Sequence, residues 1–232
     1  MTIVDNVLPV LTVSDVTTNN DLGKCFATVS LNASATDNCQ VTLSYSNVPD
    51  NNEFPVGTTT ETATATDHSG NEVSKDFTVT VLDQEDPSIT VTDLNVVNDP
   101  GECGAVVQMN AIAEDNCAAT ITYANVPAGN FFPVGVTTVT ATATDDAGNF
   151  VSADFDVTVS DNIPPVITCT PGDLTEITTS DSFTLPDYVA AGVATATDNC
   201  TVSISQDPAA GTQLIPGSYQ ITFTASDSDG NT

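Results

Sequence analysis

The sequence predicts an all-β chain of tandem Ig-like β-sandwich domains, and three observations predict it. Apolar and polar residues alternate over short segments, with Ala27, Val29 and Leu31 on one face and Ala105, Val107 and Met109 repeating the pattern. Turn signals rich in Asp, Asn, Gly and Pro punctuate about seven such segments in each copy of a repeat. The copies recur at near-constant spacing: Cys39 and Cys117, Asp67 and Asp145, and Asp5, Asp83 and Asp161 each lie 78 residues apart. No stretch sustains a helical period.

One copy reads as follows. A short strand, Val10 to Val13, leads through a polar turn around Asn19-Asn20-Asp21-Leu22-Gly23 into a strand from Cys25 to Leu31. The turn Asp37-Asn38-Cys39 follows, then an alternating strand from Val41 to Tyr45 and a loop from Asn47 to Asn52. Phe54-Pro55-Val56-Gly57 opens the last strand pair, in which Ala63 and Ala65 point inward. Glu61 takes the phase that Val139 and Ile221 hold in the other copies, which predicts a poorly buried start to that strand. The turn Asp67 to Asn71 returns the chain into Phe77 to Val81.

A repeat this long exceeds a solenoid unit and suits an independent small domain. The expected division is residues 1–5 as the end of a preceding repeat, then 6–83, 84–161 and 162–232. Thr2 to Asp5 match the close of a repeat, as in Val79 to Asp83. The third copy is longer, with its extra residues near Pro171-Gly172 and Ser180-Asp181-Ser182, and lacks the Phe-x-Val-x-Val strand of its siblings. The expectation is a segment of a longer repeat protein. The missing strand is either a truncation or supplied by another chain through β-augmentation.

With 31 acidic residues against Lys24 and Lys75, the formal charge is −29. Such a surface repels phosphate backbones and anionic lipid, which excludes nucleic acid as a partner and disfavours membrane adhesion. No apolar run approaches the roughly 18 residues of a membrane span, so no membrane insertion is expected in this segment. Strong acidity with few aromatics can signal disorder, but 40% hydrophobic residues in regular alternation argue for a fold. A surface that expects divalent cations is the other consequence, because self-repulsion destabilises compact states.

Six cysteines fall two to a copy: Cys25 and Cys39, Cys103 and Cys117, Cys169 and Cys200. Repeat logic selects one bridge within each copy, and a loop of about 15 residues closed this way contributes roughly 3 kcal/mol. Zinc ranks low, since the chain has one histidine and no Cys-x-x-Cys. Disulfides imply an oxidising compartment, hence an exported, extracellular protein at a cell surface.

The ordered elements Gly-x-Cys-x-Ala, Asp-Asn-Cys, Phe-Pro-Val-Gly and Ala-Thr-Asp-x-x-Gly-Asn resemble those of the hyalin repeat (HYR) domain. The first copy carries them at Gly23, Cys25, Ala27, Asp37 to Cys39, Phe54 to Gly57 and Asp67 to Asn71. The second carries them at Gly101, Cys103, Ala105, Asp115 to Cys117, Phe132 to Gly135 and Asp145 to Asn149. The third departs, with its first cysteine at Cys169 and Leu214-Ile215-Pro216-Gly217 in place of Phe-Pro-Val-Gly. The resemblance implies Ig-like extracellular modules arrayed in long surface proteins and linked to cell adhesion. Acidic arrays of this kind are also similar to the giant surface adhesins of Bacteroidetes, gliding-motility adhesins included.

In an Ig-like sandwich the B–C and F–G turns lie at the end where the chain enters, so acids should gather at each joint. Asp37 and Asp67 are expected near Asp5; Asp115, Asp145 and Asp146 near Asp83, Glu85 and Asp86; and Asp198, Asp227 and Asp229 near Asp161. Ca²⁺, which takes 6–8 oxygen ligands, relieves such crowding. The Pro-terminated linkers Asp83 to Pro87 and Asp161 to Pro165 are similar to cadherin linkers, in which calcium stiffens the joint. Asx-turns account for the same residues without a metal, and both readings stay open. His68 is a surface turn residue, and no nucleophile–base pair recurs, so no enzyme is expected. Asn32-Ala33-Ser34 and Asn199-Cys200-Thr201 fit the glycosylation sequon. Function is expected to be structural: a disulfide- and calcium-stabilised stalk or filament whose partners are neighbouring repeats and, distally, a surface glycan or protein. The alternative makes the repeats themselves glycan- or protein-binding modules, against which 6% aromatic content and no tryptophan count.

Overall fold

The structure, a computed structural model, describes residues 5–170 and 175–232. Thr2 to Val4 and the Pro171-Gly172 turn, invoked above, lie outside the described residues. The described chain is all-β; its only helical pieces are the single 3₁₀ turns Asp50–Asn52 and Ala128–Asn130. It divides into two compact units. The first comprises the chain to Val91 with Ala111–Thr122 and Ala141–Ala153; the second comprises Thr92–Asn110, Tyr123–Thr140 and the chain from Asp154. Each unit thus contains one joint between consecutive sequence repeats.

In the first unit the strands are β1 (Val10–Thr12), β2 (Val16–Asn19), β3 (Phe26–Thr28), β4 (Ser34–Thr36), β5 (Val41–Ser46), β6 (Glu53–Pro55), β7 (Gly57–Asp67) and β8 (Glu72–Leu82). One sheet has the order β2-β8-β7-β5, with β2 parallel to β8 and β7 antiparallel to both neighbours. The facing layer is built from β1 on β4 and β3 on β6. Alternation drives the packing: Leu11, Ala27, Val29, Phe54, Ala63, Ala65, Phe77, Val79 and Val81 close one core between the layers. Tyr45 meets Phe77 edge-on with ring centres 6.3 Å apart. β9 (Ser88–Thr90) leads the chain out of the joint into the next repeat.

The second unit opens with β10 (Leu94–Val97) and β11 (Gly104–Val106), and β12 (Ile112–Glu114) returns to pair with β9 in the first unit. The strands β13 (Ala119–Ala124), β14 (Phe131–Pro133), β15 (Gly135–Asp145) and β16 (Phe150–Ser160) complete the repeat, and β10-β16-β15-β13 restates the order β2-β8-β7-β5. The last repeat supplies β17 (Val166–Cys169), β18 (Phe183–Thr184), β19 (Ala194–Thr197), β20 (Val202–Asp207), β21 (Gln213–Leu214) and β22 (Thr222–Asp227). Here β22 pairs with β20, and a cavity of about 1140 Å³ lies beside it, lined by Phe183, Leu185, Leu214, Tyr219 and Phe223 among others.

The start of β7 is largely exposed from Gly57 to Thr60, as expected, but Glu61 itself is not. Glu61 is 1% exposed, against 0% for Val139, and its Oε2 has no hydrogen-bond partner. The register forces this, because a one-residue slip would turn Ala63 and Ala65 out of the core. An orphaned buried polar group costs about 1–3 kcal/mol. Glu61→Val should therefore stabilise the chain by an amount in that range in urea unfolding, whereas Glu61→Gln, still polar, should not.

Candidate metal centre

The site at each joint is assembled from two turns and a linker. The F–G turn comes first. Asp67 Oδ1 accepts the backbone N–H groups of Ser69 (2.8 Å) and Asn71 (2.9 Å), and Oδ2 accepts Asn71 Nδ2 at 2.7 Å. Asp145 is held the same way by Gly148, Asn149 and Asn149 Nδ2, and Asp227 by Asp229, Asn231 and Asn231 Nδ2. The Asn71 side chain holds the Asp67 carboxyl below its ordinary pKa despite some desolvation. For Asp145 and Asp227, burial pushes upward, and the Asn149 or Asn231 side chain with the turn N–H groups more than offsets it.

The same asparagine amides reach the linker. Asn71 Nδ2 donates to the carbonyls of Asp5 (3.2 Å) and Val7 (3.3 Å), Asn149 Nδ2 to Asp83 O (3.3 Å), and Asn231 Nδ2 to Asp161 O (3.0 Å). Sequence reading missed this clasp, although the recurrence of Gly-Asn at the end of the motif was its signal. The φ of +90° at Gly70, +95° at Gly148 and +91° at Gly230 is the backbone state that brings each asparagine round.

The B–C turn supplies the second part. Asp37, Asp115 and Asp198 each cap the cysteine two residues on, accepting its N–H at 2.9, 3.0 and 3.1 Å. The intervening asparagine donates to the linker carboxylate: Asn38 to Asp5 at 3.1 Å, Asn116 to both oxygens of Asp83 at 3.3 Å, and Asn199 to Asp161 at 3.0 Å. Three groups result, Asp5–Asp37–Cys39, Asp83–Asp115–Cys117 and Asp161–Asp198–Cys200, each with ligand atoms within 4.8 Å of one another. Asp67, Asp145 and Asp227 belong to none of these groups, their oxygens being occupied by turn donors, and Asp86 is exposed outside them.

The residues fit a hard cation. In all three groups the free oxygen of the B–C aspartate, Oδ1 of Asp37, Asp115 and Asp198, is buried without a hydrogen-bond partner, as are Asn116 Oδ1 and Asn199 Oδ1. Two crowded carboxylates with orphaned oxygens call for a positive charge that takes oxygen donors. Sulfur is no donor at the second and third groups, because Cys117 and Cys200 are bridged.

Those bridges overturn the pairing expected within each copy. Cys25 bonds Cys117 and Cys103 bonds Cys200, so each bridge runs from one repeat to the next, and Cys39 and Cys169 are free thiols. The reason is geometric. Inward and outward residues alternate without a break from Ala27 to Ala35, so Cys25 and Cys39 sit at opposite ends of one extended run. At about 3.3 Å per residue that run covers roughly 30 Å, far beyond a disulfide's reach.

The joint instead brings Gly-x-Cys of one repeat to Asp-Asn-Cys of the next. Gly23 (φ +68°) and Gly101 (φ +80°) complete tight turns, closed by Lys24 N to Asp21 O (2.8 Å) and Glu102 N to Asp99 O (3.0 Å). Asn116 Nδ2 then bonds Lys24 O at 3.1 Å and Asn199 Nδ2 bonds Glu102 O at 3.2 Å. At the first joint Glu85 adds a staple, its Oε1 accepting Asn20 Nδ2 (2.7 Å) and Gly23 N (2.8 Å). Asn199 of the second sequon is engaged by these contacts, while Asn32 of the first is exposed.

The model of the HYR domain matches residues 4–81 and 82–159. The chain belongs to the HYR family. Two curated HYR relatives share 34% identity with it: Hyalin of Strongylocentrotus purpuratus over 188 residues and Hyalin of Lytechinus variegatus over 211. These alignments cover 77% and 85% of this chain but 16% and 39% of the relatives, so it spans well under half of either. Among solved structures, the extracellular cadherin domains 1–5 of Protocadherin Gamma B2 align over 94% of this chain and 56% of that one, at 14% identity and a TM-score of 0.36. The two disulfides of these HYR repeats fit an oxidising, extracellular setting. No helix among the described residues is long and apolar enough to cross a membrane.

Proposed function

We propose that these HYR repeats form a load-bearing stalk or filament of an extracellular adhesive protein, with 6–83, 84–161 and 162–232 as successive beads and Ca²⁺ at each joint. One observation carries the reading: both bridges cross from one repeat to the next, beside a pair of crowded carboxylates. Asp5 and Asp37, Asp83 and Asp115, and Asp161 and Asp198 would hold the ion. A bound cation supplies charge neutralisation there. The chain's own groups do the rest: the asparagine clasps fix the linker, and the disulfide holds the two turns together. Asp67, Asp145 and Asp227 serve in this reading as the anchors of the clasps.

The role is mechanical rather than enzymatic, and the repeats' immediate partners are their neighbours in the same chain. A distal glycan or protein ligand belongs to other parts of such a molecule. Calorimetric titration of the oxidised chain with CaCl₂ tests the proposal. Heat uptake with a raised melting temperature is expected, and Asp115→Asn, which keeps an acceptor for Cys117 N, should remove one binding equivalent. A chain that binds no Ca²⁺ and melts unchanged would end the calcium part of the reading.

A further inference from the structure

We propose that Cys39 is the receiving half of a third cross-repeat disulfide, whose other half is the cysteine of a Gly-x-Cys turn in an HYR repeat preceding this one. The proposal is independent of calcium. Its basis is that the Cys39 turn is the same structure as two turns that are already bridged. Asp37, Asp115 and Asp198 cap the three cysteines alike, and Asn38, Asn116 and Asn199 all hold the linker carboxylate. Cys117 and Cys200 each take a Gly-x-Cys cysteine, from Gly23-Lys24-Cys25 and Gly101-Glu102-Cys103, respectively 92 and 97 residues earlier.

A second observation comes from the amide beside each sulfur. Asn116 and Asn199 also donate to the carbonyl of the residue just before the incoming cysteine, Lys24 or Glu102. The donor dipeptide is therefore read twice, through its sulfur and through its backbone. Burial follows: Asn116, Cys117, Asn199 and Cys200 are partly covered, whereas Asn38 and Cys39 are exposed. A turn with this sulfur and this amide is complementary to one more x-Cys dipeptide. The other free thiol, Cys169, stands on β17 after Ile167-Thr168 and has no such turn around it.

Joining two thiols releases two protons and two electrons, and a disulfide oxidant such as glutathione disulfide takes them, becoming two glutathione thiols. The test uses the oxidised 232-residue chain and a probe peptide, the sequence of residues 21–28 carried as its glutathione mixed disulfide. Cys39 attacks the peptide sulfur, the S–S bond to glutathione breaks, and the proton of Cys39 ends on the released glutathione. After equilibration, peptide mapping by mass spectrometry gives the occupancy at each thiol. The expected result is at least about tenfold more peptide on Cys39 than on Cys169, with Asn38→Ala cutting that preference severalfold. Equal occupancy of the two thiols overturns the proposal. So does a preference untouched by Asn38→Ala, or a product dominated by Cys39–Cys39 or Cys39–Cys169 links between copies.

Discussion

Pulled from its two ends, the reduced and unfolded chain should reach roughly 550 Å further than the oxidised one, because two overlapping disulfides remove most of the chain from the load path. Force entering at Cys25 crosses to Cys117, runs back along the chain to Cys103, and crosses again to Cys200. Between Cys25 and Cys200 the load-bearing chain is then only the segment from residue 103 to residue 117. At about 3.5 Å per extended residue this is roughly 50 Å, against roughly 600 Å for the unbridged chain. Bridges closed within each copy would give a different result, since the linkers at Asp83 and Asp161 would then carry the full load. Single-molecule extension with handles at Asp5 and Thr232, before and after reductant, measures the difference. Equal contour lengths in both states would refute the load path.

Much of this architecture was legible in the sequence. Period-2 alternation located the core residues of β3, β7 and β8, and the ordered turn motifs identified the HYR repeat over the first two copies. The gathering of Asp5 with Asp37, Asp83 with Asp115, and Asp161 with Asp198 follows from the B–C turn lying at the entry end. Three features were not legible, each for a physical reason. Disulfide partners were ambiguous because a bridge within a copy and a bridge to the next copy leave the same 78-residue periodicity. The burial of Glu61 went against composition because register is set by its neighbours. The split between Asp37, with a free buried oxygen, and Asp67, saturated by Asn71, depends on side-chain geometry that spacing does not carry.

That division of labour accounts for the two recurring motifs. Asp-x-x-Gly-Asn spends its carboxylate on its own turn, which frees the asparagine to hold the incoming linker. Asp-Asn-Cys spends one carboxylate oxygen on its cysteine, points its asparagine at the linker carboxylate, and leaves the other oxygen buried without a partner. The joint is thus secured by backbone, carboxylate and sulfur at once, and the lone lysine there, Lys24, contributes its carbonyl.

Cys117→Ser should destabilise the chain by about 4–5 kcal/mol in urea unfolding, since the lost bridge closes a loop 92 residues apart in sequence. Cys103→Ser should cost a similar amount through its 97-residue separation. The double variant should lose close to the sum, because the two loops share only residues 103–117 and each bridge still closes a loop of nearly its full length when the other is intact. Cys169→Ser, which breaks no bridge, should stay within about 0.5 kcal/mol of the parent. Thiol titration adds a readout that stability alone does not give. In Cys117→Ser the released Cys25 has Cys39 as the other cysteine of its own repeat, at the far end of an extended run. It should therefore remain reduced, and the variant should carry one more titratable thiol than the parent. A decrease instead would mean that Cys25 and Cys39 had joined, and that the run from Ala27 to Ala35 is not the rigid spacer that forces the bridge across the joint.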